Sequence, residues 1–162
     1  MIAQIWIAAF IGIAAIIEDV ARRQISNWIP CSAFAAGLLL QSVLHGWRGV
    51  GSALLGTVAG FSVFLIFYLL GGMGGGDVKL MAGFGALLGA HKVLEAALWT
   101  AACGGVLAAL VIAVSTLRGV WRSYRLQPVP DGAKARSMKT ADSIPYAPAI
   151  AAGVWLSLVP KT

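Results

Sequence analysis

Apolar runs separated by short polar breaks cover most of this chain, and their lengths suit membrane helices. Six runs stand out: Ile2 to Ile17, Trp28 to Leu44, Val50 to Leu70, Val78 to Ala90, Val93 to Leu117 and Ile144 to Val159. About 20 apolar residues of helix cross a typical hydrocarbon core, so several of these runs need their flanks to complete a span. Val78 to Ala90 is the weakest, since its 13 residues reach only about 20 Å at helical rise. It must either extend into its flanks or sit in a thinned or protein-lined region. The pattern predicts an all-α, polytopic transmembrane protein of about six helices. Residues 1–162 form one membrane-embedded domain, with a cytoplasmic loop at 118–142.

Charge turns the spans into a topology. With the N-terminus outside, the inner loops carry Arg22, Arg23, Lys79, Arg118, Arg122, Arg125, Lys134, Arg136 and Lys139, and the outer loops only Arg48, Lys92 and Lys161. That asymmetry follows the positive-inside rule and places both termini outside. The first run lacks a preceding basic region, so it reads as a retained helix and not as a cleaved signal. Residues 118–142 hold Pro128, Pro130 and Asp131-Gly132, which predicts an irregular loop.

Composition sharpens the picture. Hydrophobic residues make up 59% of the chain and charged residues 11%, against about 25% charged in a soluble domain. The net charge of +6 could suggest nucleic acid, but the basic residues cluster at the ends of apolar runs, where they report topology. No nucleic-acid partner is expected, and membrane lipid is. Cys31 and Cys103 stand alone inside apolar segments and give no metal spacing or disulfide framework, so neither a metal nor another cofactor is expected. Gly56-x-x-x-Gly60 and Gly85-x-x-x-Gly89 each place two small residues on one helix face, a packing signal without chemistry.

The six acids are more informative. Glu18 and Asp19 fall at the cytoplasmic end of the first helix, and Asp77 lies just before the fourth helix on the same side. Ionisable groups at membrane depth are costly and face a polar interior or cavity. Asp19 and Asp77, distant in sequence, therefore share a side and a depth. Five glycines occupy the six positions 71–76 before Asp77. Such density breaks a helix and lets backbone or an extended substrate approach closely. The bland alternative is a loop closed by an N-cap aspartate. Arg23 and Asn27 either cap helices and bind phosphates or brace Asp19. Lys79 either anchors to headgroups or adds positive potential beside the site. Glu18 reads first as an interfacial glutamate and second as a group that tunes the local field or binds a basic peptide. Glu95 and Asp142 are not assigned to catalysis, though Asp142 lies on the correct side to support it. His45 and His91 fall on the outer side and read as loop residues.

These residues resemble the type IV prepilin peptidases, and in particular the short form that serves Flp-type (tight-adherence) pili. One motif reads Asp19-x-x-x-Arg23-x-Ile25-x-Asn27 with Pro30 following. The other is G-x-G-D-x-K, here Gly74-Gly75-Gly76-Asp77-Val78-Lys79 with Leu80-Met81-Ala82 after it. Ile144-Pro145-Tyr146-Ala147-Pro148 resembles the proline-containing start of the family's last helix. The resemblance implies a membrane aspartyl protease of the bacterial cytoplasmic membrane, with Asp19 and Asp77 catalytic and Gly74, Gly76, Lys79, Arg23 and Asn27 supporting them. The implied substrate is a pilin precursor with a short basic leader and a hydrophobic helix, cut after a glycine at the cytoplasmic face. The pilus assembly machinery is a further implied partner. Long family members insert a cytoplasmic domain with paired C-x-x-C motifs after the first helix and also methylate the new N-terminus. Here the corresponding gap is about ten residues without cysteine, which implies cleavage without methylation.

Two carboxylates held close do not ionise together comfortably, so they titrate as a coupled pair. One member would take a proton from water while the other hydrogen-bonds the scissile carbonyl. Two rivals remain. A small transporter or channel component could use the acids as a relay, and a noncatalytic assembly protein could retain the fold.

Overall fold

The computed structural model describes residues 2–124 and 146–159. Four helical elements carry the fold: α1 (Ile2–Arg22), α2 (Trp28–Leu69), α3 (Gly75–Tyr124) and α4 (Ala147–Leu158). The first three, with α3 counted to Leu117, are long and apolar enough to cross a membrane, and α4 is a shorter apolar helix. Six separate runs were expected. Instead, Trp28–Leu69 and Gly75–Tyr124 each continue through two of them, interrupted only at Gly46 and Gly89, whose backbones are not helical. The apolar pattern breaks at His45–Gly49 and at Ala90–Lys92, but a single non-helical residue is enough to redirect the chain.

Other boundaries move for local reasons. α1 runs to Arg22, beyond Ile17, so Glu18 and Asp19 sit within its last turns. The helix stops where Arg23 adopts a left-handed φ of 52°, a conformation unfavourable for a residue with a Cβ. α2 closes with Gly71 at φ 75°. The Gly71 N–H donates to the Tyr68 carbonyl and the Gly72 N–H to that of Phe67, the paired bonds of a Schellman stop. Only three of the glycines before Asp77 remain for the next turn, and α3 already starts at Gly75. Past Leu117, α3 continues helically to Tyr124, into the stretch read as loop. The rest of that loop, with Asp131 and Asp142, lies outside the described residues.

The weakest sequence run becomes the centre of the protein. Every residue from 80 to 89 is buried, with Leu80, Met81, Phe84 and Leu87 in the core. Protein, not lipid, surrounds this short segment, which is why its length need not match a bilayer. α2 and α3 share the most extensive interface, and glycine makes it close. A Cβ on Gly85 would collide with the carbonyl of Gly56, one on Gly56 with that of Gly85, and one on Gly60 would lie 2.7 Å from the Met81 carbonyl oxygen. α4 packs between α3 and α1. On the α3 side a Cβ on Gly153 would collide with Thr100. On the α1 side the Trp155 indole N–H donates to the Ala8 carbonyl at 3.2 Å. The last helix thus wedges against the first, and that wedge sets up the site.

Candidate active site

Two chain reversals, residues 23–27 between α1 and α2 and residues 70–74 between α2 and α3, meet the start of α4 at one end of the bundle. Asp19 and Asp77 are both buried, at 8% and 7% exposure. They face a common cleft of about 280 Å³ whose wall also includes Arg23, Gln24, Ile25, Gly74, Gly75 and Gly76. The two acids, read from different motifs, are therefore brought together in space.

Each carboxylate is held by one oxygen at a helix start. Asp77 is the third residue of α3, and its Oδ2 accepts the Gly74 N–H at 3.2 Å while its own N–H donates to the Gly74 carbonyl at 3.1 Å. It therefore reaches back to the N-cap position, as the acidic member of a capping box does, and is not the N-cap itself. Asp19 does the corresponding job for a different helix: its Oδ2 accepts the N–H of Ala147 at 3.0 Å, the first residue of α4. The N-cap residue Tyr146 makes no side-chain cap there. Both carboxylates thus satisfy amide groups that a helix start leaves without partners, and both lie at the positive end of a helix dipole. Among the described residues no hydrogen bond engages Oδ1 of either aspartate. One oxygen is oriented and the other is available, an arrangement suited to holding a water or a carbonyl between two carboxyl groups.

The supporting residues divide. Gly76 is packed on the α1–α2 loop, where a Cβ would lie 3.2 Å from Cβ of Ile25, and a Cβ on Gly74 would lie 3.4 Å from Oδ2 of Asp77. The Lys79 Nζ donates to Oδ1 of Asn27 at 3.0 Å, tying the two motifs together at the exposed rim. Asn27 occupies the N-cap position of α2 without making a side-chain cap bond, so its amide is used across the loop and not along its own helix. Arg23 lines the cleft, and its backbone N–H donates to the Asp19 carbonyl at 2.8 Å.

Two contributions had no clear signal in the sequence. Glu18 accepts the Ser26 N–H at 2.8 Å on one oxygen and the Ser26 hydroxyl at 2.7 Å on the other. This clasp ties the start of the α1–α2 loop, residues 23–25 of which line the cleft, back onto the end of α1. The Ala147 amide is a backbone group, and residue type does not announce it; only Pro148 beside it marks a helix start. Glu95, His45 and His91 are remote from this cleft, and Asp142 lies outside the described residues.

An apolar groove of about 200 Å³ adjoins the cleft. Phe64, Phe67, Met73, Gly105, Tyr146 and Ile150 are among the residues that line it. Met73 directly precedes Gly74, and Tyr146 directly precedes the amide held by Asp19, so the chain passes from groove to cleft at two places.

The profile of the type IV leader peptidase family matches residues 6–109, a span containing both aspartates. The chain is 36% identical over 75 residues to a preflagellin peptidase of Methanococcus voltae, covering 44% of this chain and 32% of that protein. It is 37% identical over 122 residues to a prepilin leader peptidase/N-methyltransferase of Bacillus subtilis, covering 74% of this chain and 40% of that protein. The aligned stretch thus spans about a third to two-fifths of the length of these curated relatives. No solved structure matches.

Proposed function

The chain belongs to the type IV leader peptidase family, and from that premise we propose that it is an endopeptidase removing the short basic leader of a type IV, Flp-type pilin precursor. The observation that carries the proposal is the placement of Asp19 and Asp77, from separate motifs, on one cleft with one oxygen of each held by a backbone N–H. The ionised member of the pair takes a proton from a water in the cleft, and the protonated member donates to the scissile carbonyl. Attack gives a tetrahedral intermediate, and the proton taken from water passes to the leaving amine as the peptide bond breaks. No covalent enzyme adduct forms. The oriented oxygens keep the carboxyl groups from rotating, which is the positional part of the rate. The hydrophobic helix of the precursor lies in the adjoining groove, placing the peptide bond before that helix beside the aspartates.

The non-helical backbones at Gly46 and Gly89 support a reading of α2 and α3 as two crossings each. With α1 and α4 this makes six crossings in the bacterial cytoplasmic membrane, the aspartates at the cytoplasmic face. A relay for protons or cations would distribute titratable groups across the membrane depth, whereas these two share one end. Only residues 23–27 separate α1 from α2, and they contain no cysteine, which supports cleavage without methylation.

Coexpression with a precursor pilin tests the proposal through leader removal on a gel. The wild-type chain converts the precursor, and Asp19→Asn and Asp77→Asn each abolish conversion at unchanged membrane levels. Sustained conversion by either variant, or none by the wild type, overturns the two-aspartate peptidase. Mass spectrometry of the mature pilin is expected to find an unmethylated N-terminus.

A further inference from the structure

A second polar cleft lies at the other end of the protein. Gln4, near the start of α1, lines it, while Asp19 near the end of α1 lines the first. Fifteen residues of helix put roughly 22 Å between them. This cleft has a volume of about 460 Å³, and Gln41, His45, Arg48, Ser52, His91 and Lys92 are among the residues around it. Among the described residues no acidic side chain lines it. Arg48 and Lys92 make no ion pair among the described residues. Two basic groups and two imidazoles face one cavity at the edge of an apolar protein.

The cavity is built around the interruption of α3. Gly89 has a φ of 76°, and a Cβ there would lie 2.7 Å from the Ser52 hydroxyl oxygen. The break removes helical partners from the backbone on either side, and side chains replace them. Gln4 donates to the Leu87 carbonyl at 2.7 Å, and Gln41 donates to the same oxygen at 3.2 Å. The Ala90 N–H donates to the Ser52 hydroxyl at 3.2 Å. Gln41 is 7% exposed, and its remaining oxygen faces Nδ1 of His45 at 3.0 Å. An amide oxygen can only accept, so this contact is a hydrogen bond when Nδ1 of His45 donates. The backbone at the break is thus satisfied within the protein, which leaves the basic side chains to meet a ligand.

Trp47 places this end relative to the bilayer. It follows the α2 interruption, adjoins Arg48 and is 89% exposed, as suits an indole seated at headgroup depth. We propose that this cleft binds a phosphate group, supplied by the headgroup of an anionic phospholipid, with Arg48 and Lys92 as its principal ligands. Arginine offers paired donors to phosphate oxygens and lysine a point charge. The proposal stands apart from the peptidase chemistry, because the two clefts share no residue. Its consequence is structural: a lipid held at both helix interruptions braces α2 against α3, the interface that carries Asp77.

Native mass spectrometry of the full chain in detergent tests this with phosphatidylglycerol, with phosphatidylcholine and, separately, with inorganic phosphate. One phosphatidylglycerol per chain is expected in preference to phosphatidylcholine, whose choline already compensates its phosphate. Arg48→Gln with Lys92→Gln should weaken retention roughly 25-fold, about fivefold for each charge removed near a membrane surface. Arg22→Gln, at the opposite end, should leave it unchanged. If the double variant loses its helical circular dichroism, the single variants carry the test at about fivefold each. Phosphate binding that falls in the same variants, without preference between the lipids, supports the site and makes the free anion its ligand. Retention of phosphatidylglycerol that is indifferent to both substitutions overturns the proposal. So does the absence of any preference together with no phosphate binding.

Discussion

Replacing Asp19 with asparagine separates its two jobs. The side chain is buried, and its Oδ2 holds the first amide of α4 at 3.0 Å. Asparagine keeps an oxygen in that position, so at most the charge assistance of that bond is lost. That difference is about 1 kcal/mol. Loss of a proton-transfer group from an acid–base pair lowers a rate roughly 10²- to 10⁴-fold, equivalent to about 3–5 kcal/mol of activation free energy. The two effects differ enough to be read independently. Asp19→Ala adds a structural defect, because the Ala147 N–H is then buried without its partner, at about 1–3 kcal/mol. The assay is single-turnover leader removal by purified protein in detergent, alongside thermal unfolding of the same samples. Asp19→Asn should cleave at least about a hundredfold more slowly while losing no more than about 1 kcal/mol of stability, and Asp19→Ala should be equally inactive but less stable. Cleavage by Asp19→Asn within about threefold of wild type would reduce Asp19 to a helix cap. Activity that declined only in step with the folded fraction would do the same.

Other substitutions probe the packing and the rim. Gly85→Ala places a Cβ against the Gly56 carbonyl and should destabilise the protein by about 1–3 kcal/mol through overpacking, seen as a lower unfolding temperature in detergent. A Cβ on Gly105 meets no atom within 4 Å, and Gly105→Leu would project from the wall of the apolar groove. It should leave unfolding unchanged and raise KM for the precursor several-fold, and an unchanged KM would remove the groove from substrate binding. Lys79→Met and Asn27→Ala each break the same exposed hydrogen bond. Their double-mutant cycle in cleavage should show a coupling of about 0.5–1 kcal/mol, and strictly additive losses would mean that the bond does not position the two motifs.

Much of the site was legible because its signals are local. Asp19, Asp77 and the glycines before Asp77 stand out as polar or small residues in an apolar sequence, and charge asymmetry put both acids on one side. Their partners were not legible. Glu18 looked like an ordinary interfacial acid, but the return of the chain after Arg23 brings Ser26 onto it. Lys79 and Asn27 each had a reasonable local role, and folding adds a bond between them that no local pattern announces. His45 and His91 read as loop residues because the polar breaks hid a cleft shared by three helices.

Hydropathy by itself determined that this chain is helical and meant for a membrane, since the period and length of apolar runs are properties of neighbouring residues. It could not decide what surrounds a given helix. The short run from Val78 to Ala90 reads as a deficient span and proves to be the buried centre, enclosed by neighbours whose glycines admit close contact. Nor could it decide what holds the two carboxylates. Asp77 is held by its own turn, a bond that sequence proximity permits. Asp19 is held by the amide of Ala147, and only the packing of α4 between α1 and α3 brings that amide within reach.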